Sequence, residues 1–176
     1  MSIDYFLAQA RNNAWANATL FKAVTTLPRA AYDAEYPSFF GTIPRTLNHI
    51  HEVDLFYIDA LTRGGKGRAI FQREDIDDPQ ALAAAQAASD GALMAFCATL
   101  TDTDLPQTVT VGRSDGPSHE RIDHLLLHLF QHQIHHRGQV HALLSQTGAE
   151  PPQLDDFYLV WGRVETAKPY WEDTAP

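Results

Sequence analysis

The chain has 176 residues, and 13 lysines and arginines against 22 aspartates and glutamates give a net charge of −9 with neutral histidines. Such an acidic surface repels phosphate backbones, which argues against nucleic acid as a partner. The single cysteine, Cys97, excludes an internal disulfide and is typical of a reduced cytosol. Because no secretory leader and no run of about 18 apolar residues is present, we expect no membrane partner. We predict one cytoplasmic domain, residues 1–176.

Two amphipathic helices are predicted in the first third of the chain. Over about residues 2–26, apolar side chains recur at intervals of three and four, and Pro28 follows the pattern. A second helix is predicted over about residues 42–62, with Thr42 as its N-cap. The glycine-rich segment 64–67 lacks the spacing of a phosphate-binding loop, so we interpret it as a helix end and a mobile loop.

Two further long helices are predicted in the second half. One covers about residues 78–100 and begins with Asp78 as N-cap and proline at the first helical position. The other covers about residues 118–145 and ends near Gly148. Between them, the β-branched alternation of residues 108–111 indicates a short strand or hairpin arm, which either caps a cleft or pairs across a dimer.

The end of the chain predicts a short terminal helix over residues 155–164, followed by a loosely attached tail, 169–176. Four long helices in about 150 residues favour an all-α fold, an up-down four-helix bundle. In this fold, the β arm precedes the fourth long helix and the short helix closes the chain.

Histidines are concentrated in the fourth predicted helix, where six of the nine lie between residues 124 and 141. Side chains four residues apart stand one helical turn above each other, so such a pair can hold one metal ion. Three such pairs are present: His124 with His128, His128 with His132, and His132 with His136. Spacing alone does not choose among them, but the direction of the helix's apolar face favours His132 with His136.

Two histidines are too few for a stable metal site, so a third ligand is expected from another helix. The second helix offers both His49 and His51, which lie about equally far from the centre of its apolar face. His49 shares its side with Val53 and Phe56, the dry surroundings that a ligand usually has, and this gives it a slight preference. The residues alone leave the choice between His49 and His51 open.

Two segments together resemble the DinB/YfiT-like metalloprotein superfamily. The run from His132 through Arg137 to Gln139 is similar to the family's signature in the fourth helix. The segment from Phe39 to Ile50 is similar to its ligand motif in the second helix. The resemblance covers about residues 1–165. It implies a four-helix bundle in which three histidines hold a divalent metal, and the matching positions here are His49, His132 and His136.

The resemblance also implies a class of chemistry. Zinc or nickel is the metal expected first, with iron, cobalt and manganese as further choices. Several members of the family resemble thiol-dependent transferases or isomerases, in which a low-molecular-weight thiol and a small electrophile react. The first hypothesis is therefore a metal-dependent thiol S-transferase or isomerase, with no catalytic side chain assigned. The alternative is a non-catalytic, stress-associated homodimer that binds metal, and a homodimer is expected in either case.

Several other residues have simpler interpretations. Gln133 stands where a zinc peptidase of the HExxH type needs its glutamate base, which argues against that chemistry. We expect Gln133 and Gln139 either to orient ligand imidazoles or to lie on the surface. Arg137 is expected to pair with an acidic residue of a neighbouring helix or a dimer. The remaining interpretations are surface positions for His119, His124 and His141, and packed positions for Trp15, Tyr57 and Cys97. His128 is expected to be a surface or partly buried polar residue, and His135 to lie on the surface or to support a neighbouring ligand.

Overall fold

The structure is a computed structural model, and it describes residues 2–171. The described elements are α1 (Ile3–Val24), α2 (Arg29–Asp33), α3 (Ile43–Leu61), α4 (Pro79–Thr99), β1 (Thr108–Arg113), β2 (Gly116–Arg121), α5 (Ile122–Thr147) and α6 (Lys168–Trp171). Short 3₁₀ helices cover Gly67–Gln72 and Glu165–Ala167. The four long helices confirm the predicted all-α class.

The starts of α3 and α4 and the end of α5 lie where the sequence predicts them. The Thr42 hydroxyl accepts from the Arg45 backbone N–H at 3.3 Å, and the Asp78 carboxylate accepts from the Ala81 N–H at 2.7 Å. Each side chain satisfies an N–H that has no partner inside its helix. Gly148 ends α5 in the left-handed region at φ 81°, which a glycine adopts without strain.

The four long helices do not alternate strictly in direction. Around the bundle α1 contacts α4 and α5, and α3 contacts the same two helices. Two apolar clusters lie at opposite ends of the bundle. One joins the N-terminal ends of α1 and α5 to the C-terminal ends of α3 and α4, and the other joins the opposite ends, so α1 and α5 run in one direction and α3 and α4 in the other. The consecutive long helices α3 and α4 can be parallel because the long connection 62–78 separates them. One cluster includes Phe6, Leu61, Cys97 and Leu125. The other includes Val24, Ile43, Leu82 and Leu144.

A β-hairpin precedes α5 and corrects the predicted start of that helix. The structure pairs β1 with β2 in antiparallel register, with Thr108 opposite Arg121. The fourth long helix therefore begins at Ile122, and residues 118–121, predicted as helical, belong to β2. Because β2 contains few β-branched or apolar residues, its own sequence gives no strand signal, and its partner strand determines its conformation.

The C-terminal prediction is wrong in two respects. Residues 155–164 form turns and bends rather than a helix, and the described helix near the end is α6. The described part of the predicted tail is also packed: the Trp171 ring lies 5.2 Å from that of Phe157, which in turn lies 5.5 Å from Trp15. These rings cover α1 with an apolar cluster. Residues 172–176 lie outside the described part of the chain.

Within the described chain, α4 is long and apolar enough, by length and composition alone, to cross a membrane. The same helix packs against α1 and α3, and its Gln86 and Asp90 are buried among polar side chains of the other helices. Part of α4 therefore faces the interior of the bundle, and 33% of its apolar span is buried there. The thiol of Cys97 is also buried on α4, which raises its pKa to about 12 and confirms a packed, unreactive cysteine.

A buried polar network connects the four long helices at mid-height. The Asp90 carboxylate accepts from the Asn13 and Asn17 side-chain amides, both at 3.0 Å. On the other side, the Asp54 carboxylate accepts from Gln86 at 2.7 Å and from the Gln133 amide. A buried carboxyl prefers its neutral form, so burial raises the pKa of Asp54 well above its ordinary value, and the Asp90 charge adds to this.

Replacing Asp54 with asparagine is expected to change how stability depends on pH. Because the folded pKa lies above the unfolded one, the Asp54 contribution is greatest at low pH and declines as pH rises above the ordinary 3.8. Asp54→Asn keeps a neutral acceptor and does not titrate. Near pH 4 the variant should match the wild type, and at pH 8 it should be the more stable of the two.

Urea unfolding of the metal-free protein from pH 4 to pH 8 measures this difference, since chelation removes any effect of bound ions. The exposed Asp115 in the hairpin turn serves as a control: Asp115→Asn should leave the pH dependence unchanged. Parallel pH curves for wild type and Asp54→Asn would contradict a buried Asp54 whose pKa is raised.

Candidate metal site

Three histidines from two helices converge at one place in the bundle. His49 lies on α3, and His132 and His136 lie one turn apart on α5. One ring nitrogen from each lies within 4.8 Å of the others, and the two Nε2 atoms of His49 and His132 are 3.0 Å apart. Two nitrogens bonded to the same zinc ion at about 2.1 Å would lie roughly 3.4 Å apart, so these separations are compatible with one shared ion.

All three imidazoles favour their neutral form. Burial lowers the pKa of His49 and His136, and it lowers the pKa of His132 to about 3, with neighbouring histidines adding repulsion. At neutral pH the rings are therefore uncharged and present free lone pairs. This is the state in which imidazole binds a metal ion.

Neighbouring side chains orient and shield the cluster. The Phe40 ring, from the loop before α3, lies 4.6 Å from the His49 ring and 5.4 Å from the His136 ring, and covers one side. Nδ1 of His136 lies 2.8 Å from Oε1 of Gln139, to which it can donate. That bond leaves the lone pair on Nε2 of His136 free to bind a metal ion. Gln139 thus lies where it can orient a ligand imidazole, one of the two roles that the sequence offered for it.

The structure separates His51 and Gln133 from this cluster. The buried His51 ring faces α4, with Nδ1 at 3.3 Å from the Ser89 hydroxyl, and burial lowers its pKa to about 4. The side chain of Gln133 is fully buried in the polar network, bonded to Asp54. Gln133 therefore neither orients a ligand imidazole nor lies on the surface, the two positions that the sequence offered for it.

The remaining histidines of α5 are exposed or differently partnered. His135 and His124 are exposed, and Nε2 of His135 lies 3.2 Å from the Gln139 amide. His128 is also exposed, but its ring packs 5.0 Å from Tyr57 and 6.2 Å from His132. His128 therefore lies at the edge of the three-histidine cluster.

A cleft of about 210 Å³ opens beside His132. Its walls come from α3, the loop 62–78 and the hairpin, so residues distant in sequence meet there. Most of these residues were not predicted to form a site, because an arginine in a loop and an arginine in a hairpin give no local sequence signal that they share a cleft. The residues that matter chemically are Tyr57, Arg68, Phe71, Arg113 and His128.

The fold and the cluster define a helical protein with a three-histidine group able to bind a metal ion. A model of the DinB family matches residues 2–168, so the chain belongs to the DinB family.

Two similar proteins extend this comparison. Protein DinB of Bacillus subtilis (strain 168) is 26% identical over 171 residues, which cover 93% of this chain and 99% of that protein. A crystal structure of a DinB-like protein from Bacillus cereus ATCC 10987 is similar with a TM-score of 0.66 and 20% identity. The match covers 86% of this chain and 97% of that one. At this identity the structural likeness establishes the fold alone.

Proposed function

We propose that His49, His132 and His136 hold one divalent metal ion and that the protein uses it as a thiol S-transferase or isomerase on a small electrophile. The observation that carries the proposal is the convergence of three neutral imidazoles beside an open cleft. Three nitrogen ligands leave further coordination positions free, which is typical of catalytic rather than structural sites. The donor set suits zinc or nickel first, and also iron, cobalt or manganese.

The side chains around the cluster favour a nucleophile supplied by a second substrate. Among residues 2–171, no aspartate or glutamate lines the cleft, so a carboxylate base for hydrolysis is not evident there. A bound divalent ion lowers the pKa of a thiol, which is the chemistry the metal would supply. The chain's own groups keep the ligand rings neutral, hold their orientation through Gln139 and exclude water on the Phe40 side.

Loss of an electrophile in the presence of thiols tests this proposal. The metal-loaded protein should accelerate the reaction of at least one thiol from a broad panel, such as cysteine, glutathione or coenzyme A, with a small electrophile such as 1-chloro-2,4-dinitrobenzene. A chelator should abolish the acceleration, and so should His49→Ala. The matched control His124→Ala, which changes an exposed histidine of α5, should keep full activity.

The alternative is a metal-binding, stress-associated homodimer without turnover. Metal bound at one ion per chain, together with no activity across the panel, would favour it over the transferase. The homodimer, the cytoplasmic location and the absence of nucleic-acid and membrane partners stay predictions from the sequence. A gel shift at low salt and sedimentation of the purified protein test the nucleic-acid and dimer predictions directly.

A further inference from the structure

The cleft beside His132 combines apolar walls with a positive end. The rings of Phe56 and Phe71 lie 4.8 Å apart and form one wall, and Val53 continues it. At about 210 Å³ the cleft is below the size range of drug-sized ligand sites. It therefore fits a small molecule with a compact apolar body.

Two arginines of the cleft have different charge environments. The Arg113 guanidinium forms an ion pair with Glu120 at 2.6 Å and donates to the Tyr57 hydroxyl at 3.1 Å. Its charge is thus balanced and its orientation fixed. Arg68 lies with its guanidinium carbon 5.9 Å from the centre of the Phe71 ring, and among the described residues it forms no ion pair with a carboxylate. One uncompensated positive charge remains at the cleft.

This positive charge contrasts with the rest of the protein. The whole chain carries a net charge of −9, which repels anions from most of its surface. No carboxylate from the described part of the chain lines the cleft itself, and Glu120 is already engaged by Arg113. A guanidinium presents paired N–H donors that match the two oxygens of a carboxylate. A single free arginine therefore matches a single carboxylate.

We propose that this cleft binds a small organic carboxylate, with Arg68 holding the carboxylate and the apolar body of the ligand lying against Phe56 and Phe71. This inference rests on the proposed function, because it assigns the cleft to one substrate of the same site. In this arrangement either the thiol or the electrophile carries the carboxylate. The carboxylate lies at the end of that molecule opposite the group that faces His132. Arg68 is thereby a specificity-determining residue.

Binding of benzoate and of its uncharged analogue benzamide tests the inference without any turnover. Ligand-observed NMR titration should give tighter binding of benzoate to the wild-type protein. Arg68→Gln should weaken benzoate binding about tenfold, the lower end of what a hydrogen bond to a charged group contributes, because Arg68 is exposed. Benzamide binding should not change. The control Lys66→Gln removes an equal charge from the same exposed loop and should leave both ligands unaffected.

Titrations of both the metal-loaded and the metal-free protein separate this inference from the proposed function. A carboxylate bound directly by the metal would lose affinity on chelation but would be insensitive to Arg68→Gln, and that result overturns the inference. Equal affinity for benzoate and benzamide overturns it too. If the Arg68 effect persists in a protein that binds no metal, the proposed function fails while the carboxylate site stands.

Discussion

Alanine at His49 or at His132 is expected to reduce bound metal from about one ion per chain to nearly none. Each substitution leaves two imidazoles, and two neutral nitrogens hold a divalent ion far more weakly than three. Mass-spectrometric metal analysis of untagged protein, never exposed to a nickel column, gives the content per chain. The proposed site predicts the same loss for both variants, although their residues come from different helices.

Two further histidine variants make this result specific. His51→Ala, on the same helix as His49, should retain the metal, because the His51 ring faces Ser89 rather than the cluster. His124→Ala should retain it as well, since that ring is exposed on α5. Circular dichroism of each variant checks that the helices are intact. Metal absent from the wild type, or unchanged in His49→Ala and His132→Ala, would contradict the site.

The predictable part of the fold and site has local causes. The long helices follow from apolar periodicity and from end residues such as Thr42 and Asp78, whose caps act within three residues. The proximity of His132 and His136 is likewise local, because one helical turn separates them. His49 is different: the residues alone gave only a slight preference over His51, and the resemblance supplied the matching position. The structure separates the two by the direction of their rings.

The unpredicted part depends on contacts between distant segments. β2 has no strand signal of its own and is formed by pairing with β1. The packed position of Trp171 depends on Phe157 and on α1. The direction of α4 depends on how the connection 62–78 runs, and no short-range pattern encodes that. The cleft at Arg68 needs three such segments at once, so sequence periodicity could not reveal it.

Arg137 is the buried residue whose loss is expected to destabilise the protein most. The residue is 5% exposed, and its guanidinium donates to the side-chain oxygens of Asn13 at 2.8 Å and Asn17 at 3.0 Å. Burial lowers its pKa to about 10, and the nearby carboxylates Asp90 and Asp54 oppose that shift. The side chain is therefore charged at neutral pH and balances a buried carboxylate. The direct pairing with an acidic residue that the sequence predicts is not seen within residues 2–171, where Arg137 reaches Asp90 only through the two asparagines.

Arg137→Met should reduce the free energy of unfolding by about 3–5 kcal/mol, because it leaves a buried carboxylate without a compensating charge. Urea denaturation of the metal-free protein at pH 7 measures the change. The control Arg121→Gln removes a half-exposed arginine that pairs with Asp123 and should cost far less than Arg137→Met.

The double variant Arg137→Met/Asp90→Asn separates charge balance from packing. Burial raises the pKa of Asp90 to about 6, so at pH 7 most of the population carries the negative charge that Arg137 compensates. If charge balance dominates, neutralising Asp90 should recover part of the stability that Arg137→Met loses, and the two substitutions will not be additive. Additive losses would show instead that Arg137 stabilises the bundle by filling space and by its bonds to Asn13 and Asn17. A loss no larger than that of Arg121→Gln would contradict a buried charge altogether.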